Sequence, residues 1–348
     1  MNIKQSVFGI CLLATASACS SLRQIEIETF NPSAVNFPAT VERVLIANHA
    51  VPQPKGSGLT MAKQSSPTQK AQAASVDSAL FDACKALGET LVLTEHFADV
   101  RLYDGALRAE SSDAQEKKLS QAEVKNLCDA HHVDAIITLD HLFFEQKRSD
   151  YTSVAGQLMG TVKVKMQGFF RAYMPEREQP FALVQVADSL RWEEYAASAE
   201  ELSHYLPSPT NAYREAARYM AARSYHYFAP HWDSEYRWYY THHNFKWKEA
   251  SSYANLGYWD KAAKRWEEIF DTSTSAREKA RAASNIALAQ EMSGAFRPAY
   301  EWLFKSYELF KKEVGESDKE TQLTKLYITA LSERIREDKK FNQQFDAK

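Results

Sequence analysis

The sequence predicts an α/β (α+β) amino-terminal domain followed by an all-α domain of helical repeats. Between residues 40 and 206, apolar residues recur with the period of strands and of helices in the order β-α-β-α-β-β-β. After Tyr195 the strand patterns stop, and Tyr, Trp, Ala and charged residues dominate to the end of the chain. Within this second half two segments resemble each other, which is typical of stacked helical units.

The bulk composition excludes several classes of protein. The 348 residues carry a formal net charge of −3, which argues against nucleic acid as a partner because a phosphate backbone selects basic surfaces. Hydrophobic residues make up 45% and charged residues 25% of the chain, as in ordinary globular domains. After the first residues no segment offers 18 consecutive apolar residues, so we expect no membrane-spanning helix.

Residues 1–18 have the pattern of a signal peptide. Lys4 supplies a positive charge, residues 7–13 form a short apolar stretch, and small residues at 16–18 precede Cys19. This arrangement resembles the lipobox of bacterial lipoproteins. The resemblance implies that Cys19 carries acyl chains such as palmitate and becomes the new amino terminus, which would anchor the protein on a membrane. An ordinary secretory signal with a chance cysteine is the alternative.

The mature chain begins with two predicted strands and a loop. Residues 19–39 contain a lead-in strand that alternates apolar and charged residues, and residues 41–50 form a nearly continuous apolar strand of the buried kind. Residues 52–73 are rich in Pro, Gly, Ser, Gln and Lys, a composition that cannot bury enough apolar surface to fold. We therefore expect a mobile loop at 52–73 inside the α/β domain.

Two helices follow, separated by a short strand at 100–103. The first helix is predicted at 75–93, where apolar residues recur at helical spacing. The second begins at Ser120, because Glu123 three residues later completes a capping box. Apolar residues on its inner face include Val124, Leu127 and Cys128.

Two cysteines remain in the folded part of the chain, one on each predicted helix. We favour two buried, unpaired thiols at Cys84 and Cys128, because cysteines on helices behave as small hydrophobic residues. A disulfide between them is the alternative, since an oxidising envelope would permit it.

Three strands complete the domain, at 135–144, 160–173 and 181–195, and a charged turn at 174–180 joins the last two. This order of elements is similar to that of a small α/β domain found in several envelope lipoproteins and assembly factors. Examples are the amino-terminal domain of the Tol-system propeller protein and the curli secretion lipoprotein. The similarity is one of topology.

A domain boundary is predicted near residue 206, where two prolines interrupt the pattern and divide 40–206 from 207–340. Asn211 can cap a helix that runs to about Phe228. We expect a distorted repeat at 211–240 and a frayed tail at 341–348.

Gly257 and Gly294 mark corresponding points 37 residues apart in two self-similar segments. Residues 256–262, Leu-Gly-Tyr-Trp-Asp-Lys-Ala, resemble the turn between the two helices of a tetratricopeptide repeat. Glycine permits the sharp reversal of the chain, and small residues let helix axes approach closely. The residues predicted to pack these repeats are Ala250, Gly257, Ala262, Trp266, Ala287, Gly294 and Ala299.

Histidines and carboxylates cluster without the spacing of a catalytic or metal site. Adjacent histidines on a helix point about 100° apart, so the pairs His131-His132 and His242-His243 are poor chelates. We interpret the charged clusters as solvated charges and ion pairs. Their members are Asp188, Arg191, Glu193, Glu194, Asp233, Glu235 and Arg237. We expect no catalytic residue, no metal and no cofactor.

The segment 230–240, PHWDSEYRWYY, surrounds one arginine with aromatic residues. Aromatic residues and arginine are enriched in protein interfaces, and aromatic rings also stack on sugars. The candidate interaction residues are Trp232, Tyr236, Arg237, Trp238 and Tyr239. A packed seam between the two domains is the alternative interpretation.

Together, the lipobox, the α/β domain and the repeats resemble a lipoprotein family of Bacteroidota. We therefore expect a lipid-anchored adaptor of the cell envelope, at the outer membrane and facing the periplasm, that binds another envelope protein through its repeats without catalysis. A glycan-binding lipoprotein that uses the aromatic residues of 230–240 is the alternative. An envelope hydrolase is the third hypothesis, and it would need a carboxylate and a histidine, or two carboxylates, facing each other in a pocket.

Overall fold

A computed structural model describes residues 22–55, 57–63, 75–108, 117–152 and 157–345. The predicted signal peptide and Cys19 lie outside the described residues, as does the later part of the predicted loop at 52–73. The chain divides into two compact units. The α/β unit spans Pro32–His231, and the helical unit consists of Trp232–Gln343 together with the strand that ends at Asn31.

A six-stranded mixed sheet forms the centre of the α/β unit. The strand order is β4-β2-β5-β6-β7, and β3 pairs with the far half of β5. Strand β2 is parallel to both β4 and β5, whereas β5, β6 and β7 form an antiparallel meander. The strands are β2 (Arg43–Asn48), β3 (Leu59–Lys63), β4 (Asp99–Ala106), β5 (Ala135–Thr152), β6 (Leu158–Tyr173) and β7 (Ala182–Ala196).

Helices cover both faces of the parallel part of the sheet. Helix α1 (Asp77–Leu93) packs on one face with Val44 and Ile46, whereas α2 (Gln121–His131) packs on the other face with Leu45. Alternate residues of a strand point to opposite faces, which explains this division. The capping box at the start of α2 is present as predicted. The α/β fold class is therefore confirmed.

The two cysteines lie on opposite faces of the sheet, both buried and both unpaired. Cys84 belongs to the core under α1, and Cys128 belongs to the core under α2. A disulfide requires Cα atoms within about 7 Å, which a sheet between the two side chains prevents. The favoured interpretation of two free thiols is confirmed.

The predicted mobile loop contains a strand. Residues 59–63 form β3, which pairs in parallel with β5 from Gln146 to Asp150. Gly58 precedes it with φ +76°, and a Cβ at this position would lie 2.1 Å from the carbonyl oxygen of Phe144. The loop prediction was therefore wrong for these residues, because pairing with a long neighbouring strand supplies the hydrogen bonds that local composition does not indicate.

Two further helices belong to the α/β unit, α3 (Ala199–Tyr205) and α4 (Pro209–Arg223). Arg214 on α4 forms an ion pair with Asp82 on α1, with an N–O distance of 2.6 Å. The division between the units thus falls at Trp232, later than the boundary expected near residue 206. The N-cap of α4 is Ser208 instead of Asn211, since its hydroxyl accepts the backbone N–H of Asn211 and Pro209 opens the helix.

The helical unit contains a two-stranded sheet and five helices among its described residues. Strand β1 (Leu22–Asn31) pairs with β8 (His231–Tyr240). The distorted repeat expected at 211–240 is therefore wrong, because the segment divides into α4, a short 3-10 helix and β8. The helices are α5 (Phe245–Asn255), α6 (Trp259–Thr272), α7 (Ala276–Met292), α8 (Phe296–Val314) and α9 (Lys319–Phe345).

Two helix pairs, α5–α6 and α7–α8, turn in the same way. Gly257 and Gly294 have φ values of +76° and +75°. In each turn the glycine N–H donates to the carbonyl three residues earlier, and the next N–H donates to the carbonyl five residues earlier. This is the Schellman arrangement, which needs a left-handed residue and therefore favours glycine.

The buried positions of the two pairs also correspond at the 37-residue spacing. The alanines that we predicted to pack the pairs are buried, whereas Gly257 and Gly294 lie exposed in the turns, and Leu303 takes the place of Trp266. One corresponding position differs in chemical character, since the buried residue is Ala254 in the first pair and Glu291 in the second. The corresponding buried residues are Trp247 and Ser284, Ala250 and Ala287, Ala262 and Ala299, Trp266 and Leu303.

The last helix is longer than expected. Helix α9 continues to Phe345, so the tail predicted to fray from residue 341 is helical over most of its length. The ring of Phe341 packs edge-on against Phe30, with centroids 5.2 Å apart, which stabilises the end of the helix. Within the described residues, no helix has the length and apolar character needed to cross a membrane.

Candidate functional site

Strand β8 carries the five candidate interaction residues but buries most of them. Trp232 and Tyr236 are 62% and 54% exposed. Arg237 and Tyr239 are buried, and Trp238 is half-buried against the helical core. The five residues predicted as one interaction surface therefore do not share one exposed face, because the helices cover the carboxyl end of β8 from Arg237 onwards.

Arg237 is held by a buried carboxylate on α7. Its Nε and Nη2 atoms donate to Glu291 at 2.9–3.1 Å, and its Nη2 atom also lies 2.6 Å from Glu235. Burial by itself lowers the pKa of Arg237, but the charge and hydrogen bonds of Glu291 outweigh burial and raise it. The hydroxyl of Tyr327 on α9 donates to the same carboxylate at 2.5 Å. Burial raises the pKa of Tyr327 well above its ordinary range, so this hydroxyl stays protonated.

Side chains from α5 and α7 hold the carboxyl end of β8. The backbone N–H of Tyr240 donates to the side chain of Asn285 at 2.7 Å, and the amide of Asn285 donates back to the carbonyl of Tyr240 at 2.8 Å. The hydroxyl of Tyr239 donates to Asn255 on α5 at 2.7 Å. Strand β8 therefore covers the side of the helical unit that α5, α7 and α9 form.

The opposite end of β8 carries an exposed aromatic cluster. The ring of Trp232 packs against Phe30 on β1 with centroids 5.0 Å apart, and Phe30 in turn contacts Phe341. Nearby polar contacts hold the strand ends, since Asn31 donates to Asp233 and accepts from Arg334 at 3.1 and 2.8 Å. We call Trp232, Tyr236, Phe30 and Phe341 the aromatic surface. Trp232 and Tyr236 are its exposed rings, Phe30 and Phe341 are half-buried, and the backbone of β8 that carries the two exposed rings pairs with β1.

A second cluster, in the α/β unit, was not predicted from the sequence. Strand β2 connects through α1 to β4 on one side, and β4 connects through α2 to β5 on the other side of β2. Open α/β sheets bind ligands beyond the carboxyl ends of strands where the connections diverge in this way. His49 follows β2 at this point, and Asp140 follows Leu139, the residue of β5 paired with Asn48.

Asp140 is the centre of this cluster. It accepts hydrogen bonds from Thr138 at 2.5 Å and from Arg171, and it lies 3.2 Å from Nδ1 of His49. The guanidinium of Arg171 also stacks over the ring of Phe169 at 4.8 Å. His49 is 3% exposed, and Asp140 and Arg171 are buried as well. The arrangement pairs a buried carboxylate with an arginine and a histidine, so removal of either partner would leave a buried charge without its counter-charge.

The sequence offered one signal for this cluster. Charged residues stand inside otherwise apolar strands, Asp140 in AIITLDHLFF and Arg171 in GFFRAY. Buried charges are paired, so each predicts a partner but not which one. An open depression lined by Val92, Phe97 and Val100 lies at the amino end of β4, the edge of the sheet opposite His49.

The other histidines and carboxylates do not converge on a site. The rings of His226 and His231 lie 5.3 Å apart, and those of His242 and His243 lie 4.0 Å apart. Asp188 lies 3.9 Å from Arg223, and Arg191 pairs with Glu193. In the part of the chain that the structure describes, no group of three or more His, Cys, Asp or Glu residues could hold a metal ion.

Comparison with known proteins places the α/β unit and β8 in one family. The model described as Domain of unknown function (DUF8603) matches residues 41–240, more than half of the chain and up to the last residue of β8. The chain belongs to this family. A second model, Domain of unknown function (DUF6340), matches residues 248–333, which run from the first turn of α5 through α8 and into the middle of α9.

Other comparisons are distant. No curated protein matches the sequence. Among solved structures, the chain is similar to the hypothetical protein CT253 from Chlamydia trachomatis. The alignment has 9% identity, covers 54% of this chain and 98% of that chain, and has a TM-score of 0.25.

Proposed function

We propose that this protein is a lipid-anchored adaptor of the cell envelope that binds another envelope protein through its helical unit, without catalysis. The anchor is supported by the lipobox pattern that ends at Cys19. By resemblance to Bacteroidota lipoproteins, we place it at the outer membrane and facing the periplasm. Residue 20 is serine instead of aspartate, which agrees with outer-membrane sorting.

The observation that carries the adaptor proposal is the aromatic surface. Trp232 and Tyr236 remain exposed on a strand whose neighbouring residues are fixed by buried hydrogen bonds. Rigid, exposed aromatic residues lose little conformational entropy on binding and are enriched in interface hot spots. Strand β1 beside them pairs with β8 on one side within the described residues, so its other edge can accept an extended segment of a partner.

This proposal puts the contact on the aromatic surface of the helical unit instead of on the helix pairs themselves. Tetratricopeptide-like packing is supported by the two equivalent turns and the small buried residues. Strand β8 fills the side formed by α5, α7 and α9, so a partner would have to displace Arg237 from Glu291 to lie there. The aromatic surface needs no such displacement.

The first experiment places a photo-crosslinking amino acid at Trp232 in the full chain and identifies the products in intact envelopes. The control carries the same amino acid at Phe304, an exposed aromatic on α8. We expect one defined envelope protein to crosslink at Trp232 and not at Phe304. The double variant W232A/Y236A should lose co-purification of that protein while retaining its far-UV circular dichroism spectrum.

The anchor is tested separately with C19A. We expect the wild-type chain to sediment with membranes and C19A to appear in the soluble envelope fraction or as an uncleaved precursor. Equal crosslinking at both positions would count against an adaptor surface at Trp232. Retention on glycan columns that depends on Trp232, with no protein product, would favour the glycan-binding alternative.

One observation favours the hydrolase hypothesis as a second candidate. His49 and Asp140 are a histidine and a carboxylate within contact distance at the divergence point of the sheet. A reaction would need substrate to reach His49, which is 3% exposed. Diethylpyrocarbonate labelling of the folded protein tests this access by mass spectrometry. Protection of His49 together with rapid labelling of exposed His242 would reject the candidate.

A further inference from the structure

One end of the helical unit gathers the start of β1 and the end of β8. The hydroxyl of Thr29 donates to the carbonyl of Asp233 at 3.3 Å, whereas Arg23 bonds to Tyr239 near the other end of the ribbon. The two strands therefore run in opposite directions. Leu22, the first described residue, lies at the end where β8 finishes at Tyr240 and the chain turns into α5.

The amino terminus of α5 presents an exposed phenylalanine among cationic residues. Phe245 is 77% exposed, and Lys246 and Lys248 beside it are also exposed. The first turn of α5 contains no acidic residue, so no negative charge on it offsets the positive end of the helix dipole. His242 and His243, just before the helix, are exposed as well. We call the exposed residues His242, His243, Phe245, Lys246 and Lys248 the basic aromatic surface.

Acidic groups that flank this surface are already engaged. Glu249 pairs with Arg265 at 3.0 Å. Glu278 accepts hydrogen bonds from Trp247 at 2.9 Å and from Ser273 at 2.6 Å. Burial by itself raises the pKa of Glu278, but these hydrogen bonds outweigh burial and lower it. The carboxylate is therefore ionised and already hydrogen-bonded to other residues. The ion pairs formed by described residues do not include Lys246 or Lys248.

We propose that the basic aromatic surface rests on a bilayer surface rich in anionic phospholipid, beside the lipid anchor. Cys19 precedes Leu22 by three residues, a contour of about 11 Å at most. The anchor thus holds this end of the unit close to the headgroups. Lysines near an anionic surface attract its phosphates, and an exposed aromatic ring enters the interfacial layer. The inference rests on the proposed lipid anchoring and deepens it by fixing which end of the unit meets the membrane.

The test uses the lipid-free chain of residues 20–348, which contains every described residue. Its binding to vesicles of phosphatidylglycerol and phosphatidylethanolamine is compared with binding to phosphatidylcholine vesicles. The variants are F245S and K246E/K248E. Their matched controls are F304S, which removes an exposed Phe of α8, and K147E/K163E, which reverses two exposed lysines of the sheet.

We expect the lipid-free chain to bind anionic vesicles, with an affinity that falls steeply as salt is raised. In K246E/K248E the affinity should fall by about fivefold or more for each of the two lysines replaced. F245S should weaken binding on both vesicle types, and both controls should stay within twofold of wild type. Equal effects of the control and test variants would overturn the inference.

A second measurement covers affinity too weak for the lipid-free chain. In the lipidated full chain on vesicles, amide hydrogen exchange at 242–249 should be slower than in lipid-free protein, and exchange at 304–308 should not change. Absence of slowing would also overturn the inference. Because C19A fractionation reports on the anchor alone, an anchored protein with unchanged exchange would reject this surface and leave the proposed function standing.

Discussion

At the scale of single residues, the helical unit contains a buried charge at a position where the corresponding residue of the first helix pair is apolar. Glu291 occupies the position that Ala254 has in the first helix pair. Its carboxylate receives Arg237 from β8 and Tyr327 from α9. A buried ion pair gains little over an apolar contact, but removal of one partner leaves an uncompensated charge. The glutamate at this position therefore fixes where β8 lies along α7.

We expect E291A to destabilise the helical unit by up to about 3–5 kcal/mol, because it removes the buried partner of Arg237 and leaves the guanidinium with only the partly exposed Glu235. Urea unfolding followed by tryptophan fluorescence measures the loss. The double variant R237M/E291M serves as the control, since it removes both charges and keeps apolar volume. A double variant as unstable as E291A would show that the charge itself is not the cause.

The two cysteines give a second prediction at this scale. Burial raises the pKa of Cys84 to about 12 and that of Cys128 to about 11. Thiolate is the reactive form, so both thiols should resist iodoacetamide at pH 8 in the folded protein and react within minutes in 6 M guanidinium. Mass spectrometry of the alkylated protein counts the modified cysteines. Rapid alkylation of native Cys84 would contradict its place under α1.

At the scale of elements, two glycines serve different purposes. Gly168 on β6 lies where a Cβ would be 2.1 Å from the carbonyl oxygen of His141, beside a register shift in β5. Gly294 in the turn between α7 and α8 has φ +75° and open space around its Cβ position. The first position needs glycine for close approach of two backbones, and the second needs it for a left-handed conformation.

This difference predicts that replacement of glycine by alanine lowers the free energy of unfolding by unequal amounts at the two positions. G168A should lower the free energy of unfolding by about 3 kcal/mol or more, since a backbone carbonyl cannot move aside easily. G294A should cost roughly 1–2 kcal/mol, the usual penalty of an L residue in the left-handed region. Urea denaturation of both variants gives the comparison. The ordering is refuted if G294A proves the more damaging of the two.

At the scale of the whole molecule, the helical unit is built from both ends of the chain. Strand β1 comes before the α/β unit in sequence, yet it pairs with β8 after it. Ile27 of β1 is buried, and Leu22 and Ile25 pack against the helical core. Loss of β1 therefore exposes apolar surface of the helical unit and leaves the strand pairing of the α/β unit intact.

We expect a fragment of residues 32–231 to fold alone with a single cooperative urea transition. A fragment of residues 232–348 should be less stable than the same unit in the full chain, because β8 loses its partner strand. Circular dichroism and hydrogen exchange test both fragments. Addition of a synthetic peptide of residues 20–31 should restore protection in β8, and a scrambled peptide should not.

How far the fold could be predicted from sequence depended on how local each signal was. The capping box at Ser120, the helix at 75–93 and the turns at Gly257 and Gly294 rest on residues close together in the chain, and the structure has them as expected. Strand β3 and the extended last helix were missed, because each depends on a partner far away in sequence.

The candidate site follows the same division. The sequence by itself determined that 230–240 is an aromatic segment around one arginine, and that charges stand inside apolar strands at Asp140 and Arg171. Tertiary structure decided that Trp232 and Tyr236 face solvent while Arg237 and Tyr239 face α7 and α5. It also decided that His49 meets Asp140. Composition and periodicity state which residues are present, whereas burial and pairing depend on which distant segments pack against them.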